Sequence, residues 1–211
     1  MSIYLDHNAT ARVRPQAISA MLQVLETVGN PSSIHAAGRT ARAVMEQARA
    51  DIGTLIAAPE STVIFTSGGT EANAIALESA VANGARRLIV SAIEHDSIQE
   101  TSSVLGVKVE VLPVTNDGVA DLAWLCDRLA RWDSEDGKPL VALMLANNET
   151  GVIQPVAEAA EMVRAADGWL HVDAIQAAGK IAVDSRALGA DTLSISAHKL
   201  GGPQGVGALT F

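Results

Sequence analysis

The 211-residue sequence has one cysteine, no cluster of basic residues and no long apolar run, and each absence excludes something. With Cys126 alone, no internal disulfide can form, as expected for a reducing compartment. The 15 Lys and Arg are outnumbered by 24 Asp and Glu, and the formal charge is −9. No Lys/Arg-rich run gathers those cations on one face, so neither nucleic acid nor an anionic membrane surface is the expected partner. The longest apolar stretches, such as LVALMLA, fall well short of the roughly 20 residues of a membrane-spanning helix. The opening MSIYLDHNAT lacks the basic and apolar regions of a secretory leader, and the cytoplasm is the expected location. Also missing are the two familiar nucleotide fingerprints, a Gly-x-Gly-x-x-Gly after a strand and a Gly-x-x-x-x-Gly-Lys-Ser/Thr, as well as any internal repeat or low-complexity tract.

What is present is a composition of 48% hydrophobic and 18% charged residues, enough for one substantial core and one domain. Residues from Ser2 to Asp6 read as a short extended segment. Pro15 opens an amphipathic helix carrying Ala17, Met21, Leu22 and Leu25 and ending at Gly29, and the stretch up to Ala57 carries Val44, Met45, Ala48, Ile52, Leu55 and Ile56 at helical spacing. Strands and helices then alternate. Strands are expected at Val63–Thr66, Arg87–Ser91, Val107–Leu112, Val141–Leu145, Trp169–Val172 and Leu193–Ile195, and helices at Thr70–Ala82, Ser97–Leu105, Leu122–Trp132 and Val156–Ala166. Such a succession predicts an α/β fold with a mostly parallel central sheet and helices on both faces. The polar connection Ser134–Lys138 is expected to lack order.

In a sheet of this kind the ligand crevice forms at the carboxyl ends of the strands. Five of those ends carry polar residues: Ser67-Gly68-Gly69-Thr70-Glu71; Glu94-His95-Asp96; Asn147-Asn148-Glu149-Thr150-Gly151; Asp173 with Gln176; and Ser196, His198 and Lys199. Ser67-Gly68-Gly69-Thr70 opens a helix, so its backbone N–H groups and the Thr70 hydroxyl suit a phosphate, although a tight turn with an ordinary cap would look the same. Lys199 stands on a strand-end loop hemmed in by Gly201, Gly202 and Pro203. It is either a plain surface cation or an amine of lowered pKa able to form a Schiff base with an aldehyde. Asp173 can hold a pyridinium nitrogen protonated or merely cap the helix that follows. His95 offers a flat ring for stacking or acid–base work, or is a structural histidine. Gln176, Asn148, Ser196 and His198 add neutral or switchable hydrogen bonds of the kind that fix ring substituents and a phosphate, although Asn148 can equally do no more than hold the loop that contains Gly151. Cys126 falls with Leu122, Leu125 and Leu129 on one helical stripe, which predicts a buried structural thiol. His7, His35 and His171 show no metal-ligand spacing, and no metal is expected.

The segments YLDHNAT, GNPSS followed by His35, FTSGGTEAN, EHDSI, NNETGVIQP, HVDAIQAAGK and SISAHKLGGPQGVGAL occur in that order along the chain. Together they resemble the cysteine desulfurases of the NifS/IscS type, among the aminotransferase-like, fold-type I pyridoxal phosphate enzymes. The resemblance implies that Lys199 binds the cofactor aldehyde, Asp173 pairs with its pyridine nitrogen and His95 stacks on its ring and assists proton transfer. It implies that Asn148 and Gln176 bind the ring's phenolic oxygen, while Gly69, Thr70, Ser196 and His198 hold the phosphate. It further implies L-cysteine as substrate, a homodimer when full length and a sulfur-acceptor protein as partner. In that family the persulfide-forming Cys and the Arg that grips the substrate carboxylate lie beyond the Schiff-base strand. Residues 1–211 are therefore expected to be the cofactor-binding large domain, with a helical extension over about 1–58 and without the small C-terminal domain. A related lyase or aminotransferase of the same fold type, or a non-catalytic remnant acting as an interaction module, are the alternatives.

Overall fold

The computed structural model describes residues 3–211. Residues 3–6 take no regular structure, and Ser2, where the predicted extended segment begins, lies outside the described residues. Helix α1 (Pro15–Leu25) starts with proline at its first position, where the missing N–H costs nothing. It buries none of its residues, and Met21, Leu22 and Leu25 stay exposed. Helix α2 (Ala36–Leu55) is capped by the His35 ring, which accepts from the Gly38 N–H.

Strands β1 (Val63–Thr66), β2 (Arg87–Ser91), β3 (Lys108–Leu112), β4 (Leu140–Ala142), β5 (Trp169–Asp173), β6 (Thr192–Ser196) and β7 (Gly207–Thr210) form one sheet in the order β1-β7-β6-β5-β4-β2-β3. From β6 to β3 all neighbours are parallel, whereas β7 runs antiparallel to both β1 and β6. The mostly parallel sheet expected from the alternation is therefore observed, with an antiparallel flank where Gly207–Thr210 turns back from Lys199. The inner strands RLIVS, WLHVD and TLSIS are buried along nearly their whole length, as parallel strands covered on both faces must be.

Two helical layers do that covering. On one face, α3 (Gly69–Ala82) and α4 (Asp96–Val104) pack Ala72, Ala76, Leu77 and Ile98 against Leu88, Val90, Leu140 and Ala142. On the other, α5 (Leu122–Ala130) and α6 (Val156–Ala165) pack Leu125, Leu129, Ala159 and Val163 with Ile89, Val141, Leu170 and Val172. A one-turn helix α7 (Ser185–Leu188), capped by Asp184, precedes β6, and another, α8 (Ala197–Leu200), follows it.

Three expectations change. Lys199 lies in α8, not on a loop; a single helical turn fits between Ser196 and Gly201, which ends it with a left-handed φ of 94°. The stretch Ser134–Lys138 is ordered: Ser134–Asp136 form a 3₁₀ turn, and Asp136 is buried as the partner of Arg87 Nε at 2.7 Å. Cys126 is exposed, not buried. Leu125 and Leu129 centre the apolar stripe of α5, and Cys126 sits on its margin beside a groove lined by Met162 and Ala165 of α6. Among the described residues no helix is long and apolar enough to cross a membrane.

Candidate functional site

The chain order reverses between β2 and β4: β3 is added on one side of β2, and β4, β5 and β6 follow on the other. Neighbouring loops diverge at such a point and leave a crevice at the strand carboxyl ends. A cavity of about 260 Å³ opens there, and all nine residues singled out above border it: Gly69, Thr70, His95, Asn148, Asp173, Gln176, Ser196, His198 and Lys199. Ser97, Met144 and Ile175 complete its wall. A Cβ at Gly69 would fall 2.2 Å from Ile175 Cδ1, so a larger residue there would have to displace Ile175 within the wall.

Asp173 ends β5 and is 3% exposed. Its Oδ1 accepts from the Ile175 N–H at 2.9 Å and its Oδ2 from Asn73 Nδ2 at 2.9 Å. Burial raises its pKa, opposed by those two donors and by His95 and Lys199. Asn73, from α3, is the hub beneath it: its amide also donates to Ser97 Oγ, and its Oδ1 accepts from His171 Nε2 at 3.0 Å and from Ser194 Oγ at 2.5 Å. Because Asn73 Oδ1 can only accept, His171 carries its proton on Nε2, and Nδ1 accepts from Thr192 Oγ1 at 2.9 Å. Burial pushes the His171 pKa down to about 4, so the ring is neutral. This network fixes the Asp173 carboxylate without giving it a cation. Neither Asn73 nor His171 was picked out from sequence; the only signal was polar residues set inside otherwise apolar runs.

His95 caps α4, its Nδ1 accepting from the Ser97 N–H at 3.1 Å. The capping role and the place on the cavity wall are thus compatible, since the ring face and Nε2 are not used by the cap. Ser196 is buried at the end of β6, and its hydroxyl makes no capping bond to α8. His198 Nδ1 lies 3.2 Å from Thr10 Oγ1.

The chain's N-terminal loop closes over the lysine. Lys199 Nζ donates to the Asn8 carbonyl at 2.6 Å and the Ala9 carbonyl at 2.9 Å. Burial lowers its pKa, with the charges of Asp173 and Asp6 acting the other way. Asn8 also takes Gln176 Nε2 at 2.9 Å on its carbonyl and Lys180 Nζ at 2.9 Å on its Oδ1, and donates to the Asn148 carbonyl at 2.8 Å. Lys180, two hydrogen bonds away from Lys199, has its pKa lowered by burial and by the Lys199 charge. Asn8 and Lys180 were within the segments YLDHNAT and HVDAIQAAGK, but nothing local in those segments marks them as neighbours of Lys199. Asn148 Nδ2 bonds to Glu149 Oε1 at 2.6 Å, and Asn148 and Gln176 both border the cavity.

The family description that matches is "Aminotransferase class-V", over residues 3–211. A cysteine desulfurase of Cereibacter sphaeroides is 44% identical over 98% of this chain and 54% of its own length. Among solved structures, a NifS-like protein from Rickettsia africae superposes with a TM-score of 0.91 at 36% identity, over 99% of this chain and 57% of that one. A structure described as SspA in complex with cysteine superposes with a TM-score of 0.91 at 28% identity, over 99% of this chain and 61% of that one. The chain spans about half the length of the curated relatives it matches. Matched by the family description over residues 3–211 and superposing on a NifS-like protein along 99% of its length, the chain belongs to the class-V aminotransferase family.

Proposed function

We propose that this chain is the cofactor-holding part of a pyridoxal phosphate-dependent cysteine desulfurase, in which the whole protein takes sulfur from L-cysteine, leaves alanine and passes the sulfur on as a persulfide. The observation that carries the proposal is the joining of Asp173, Lys199 and the α3 N-terminus around one cavity. The donor set fits the cofactor. A buried carboxylate lacking a cation suits a protonated pyridine nitrogen, an amine of lowered pKa suits an aldehyde, and the first N–H groups of α3 with Thr70, Ser196 and His198 suit a phosphate.

Pyridoxal phosphate, when bound, supplies an electron sink conjugated to the substrate's Cα. Asp173 would keep the ring nitrogen protonated, and the Asn73–His171 network would keep Asp173 in place. His95, its Nδ1 held by Ser97, would lay its ring against the cofactor and assist proton transfer. Gln176 and Asn148 would turn their amides to the ring's phenolic oxygen, and Gly69 would allow close approach at the phosphate. Lys199 would leave the Asn8 and Ala9 carbonyls to hold the cofactor aldehyde, and its Nζ would later move the Cα proton. Cys126 is not on the cavity wall, so the sulfur-accepting thiol of the whole protein would lie outside these 211 residues. A homodimer, an acceptor protein and a cytoplasmic setting belong to the same proposal; the single exposed Cys126 supports the last. The cysteine in complex with the structurally similar SspA supports the substrate.

Adding pyridoxal phosphate to the chain should produce a visible absorbance band that Lys199→Ala abolishes. A wild-type chain that stays colourless would sink the cofactor assignment. The chain alone should form no alanine from L-cysteine, and robust turnover would refute the placement of the acceptor thiol.

A further inference from the structure

Strand β2 stops at Ser91, yet the chain after β4 runs on along β5: the Leu143 N–H bonds to the His171 carbonyl at 3.0 Å and the Leu145 N–H to the Asp173 carbonyl at 2.9 Å. Between them the Met144 N–H faces the other way, where the ladder offers no β2 carbonyl. Glu94 supplies the acceptor. After a tight turn that returns the Glu94 N–H to the Ser91 carbonyl, Glu94 Oε1 accepts from the Met144 N–H at 2.6 Å. Met144 borders the cavity, so Glu94 props one segment of the cavity wall from behind.

Glu94 Oε2 has no such partner. It is the one buried side-chain nitrogen or oxygen, among the described residues, without a hydrogen bond, and Glu94 is only 4% exposed. The ionisable groups around it are few. Asp173 approaches from β5 and His95 follows it in the chain, while Ser91 at the end of β2, Met144 and Asn147 are neutral. Two carboxyls thus share a buried space without a salt-bridge cation, and the second ionisation of such a pair is displaced to higher pH. Their donors decide which one ionises. Asp173 has the Ile175 N–H, Asn73 Nδ2 and the nearby Lys199 charge, whereas Glu94 has the Met144 N–H, the neighbouring Ser91 hydroxyl and no cation.

We propose that Glu94 is a positioning residue that enters the site as a neutral carboxylic acid, keeping its proton on Oε2 so that the single negative charge of the buried Glu94–Asp173 pair stays on Asp173. Glu94 thereby props the Met144 strand with one oxygen and protects the Asp173 charge with the other. Burial first, and the Asp173 charge second, push the Glu94 pKa up to about 8. The charge assignment stands on this chain alone, and its use toward a pyridine nitrogen rests on the proposed cofactor.

The test is a pH titration of the wild-type chain, its glutamate side-chain carboxyls labelled with carbon-13 and followed by NMR. One glutamate should titrate near 8 while the others finish in the ordinary acidic range. Glu94→Gln, which keeps an oxygen for Met144, should remove that late resonance, and Asp173→Asn should move its midpoint to lower pH. If every glutamate of the wild type is ionised by about pH 6, the proposal fails. It fails equally if the late midpoint does not move in Asp173→Asn, which keeps the test decisive even should Glu94→Gln not fold. A chain that shows the late titration but no visible band with pyridoxal phosphate would remove the cofactor and leave the charge assignment standing. A band without the late titration would do the reverse.

Discussion

Two glutamates set two neighbouring regions of the sheet apart. Glu110, on β3, is gripped by Arg128 through Nε at 2.5 Å and Nη2 at 2.8 Å and also by Arg87, which in turn reaches Asp136. The Arg128 hydrogen bonds, more than Arg87, hold its carboxyl at about 2. Glu94, at the carboxyl ends of the strands, is pushed up to about 8 by burial and then by the charge of Asp173, against the Met144 N–H and the Ser91 hydroxyl. The same side chain is thus a stabilising anion in one place and a buried acid in the other. The difference is the supply of cations: the β2–β3 margin pairs every carboxyl with an arginine, whereas the cavity floor uses only neutral donors. Structural ion clusters satisfy their charges, and a floor that leaves Asp173 without a salt bridge keeps it available to a ligand.

The sharpest way to break this contrast is to remove a neutral donor. Asn73→Ala takes partners from Asp173, His171 and Ser194 at once, all buried. With about 1–3 kcal/mol lost for each buried group left unpaired, urea unfolding at neutral pH should show a loss of about 3 kcal/mol or more. A loss under about 0.5 kcal/mol would mean that the network does not hold the floor. The charged margin should respond less and differently. The folded-state pKa of Glu110 is depressed, so its contribution is present above the ordinary value of 4.5 and is lost as pH falls toward about 2. Glu110→Gln should therefore cost on the order of 1–2 kcal/mol at pH 7, a difference that shrinks on acidification through that window. A difference independent of pH would show that packing, not charge, is what Glu110 supplies. Cys126, exposed and outside both regions, is the control. Cys126→Ser should change stability by less than about 0.5 kcal/mol, and a thiol reagent should label the native wild-type chain without unfolding it.

Local pattern accounts for much of what the sequence revealed. Short apolar runs located six of the strands, and the polar residues that end them located the cavity, because in a parallel sheet the loops after each strand gather on one edge. The errors share a cause. Whether Cys126 is buried depends on how α5 meets α6, Ser134–Asp136 is ordered by Arg87 some 49 residues away, and the antiparallel pairing of β7 with β1 and β6 is set by long-range register. Asn8 lies 191 residues from the lysine whose proton it accepts, and no local rule connects them.

By itself, then, the sequence determined the alternation of strand and helix, the strand-end placement of Asp173 and Lys199 and the glycine turn before α3, since each is a matter of spacing along the chain. Tertiary structure alone decided the electrostatics of the site. Which carboxyl lies near a cation and which does not, whether a histidine is neutral, and what holds the lysine's amine are set by groups brought together from distant strands, and a pKa responds to surroundings in space and not to neighbours in sequence.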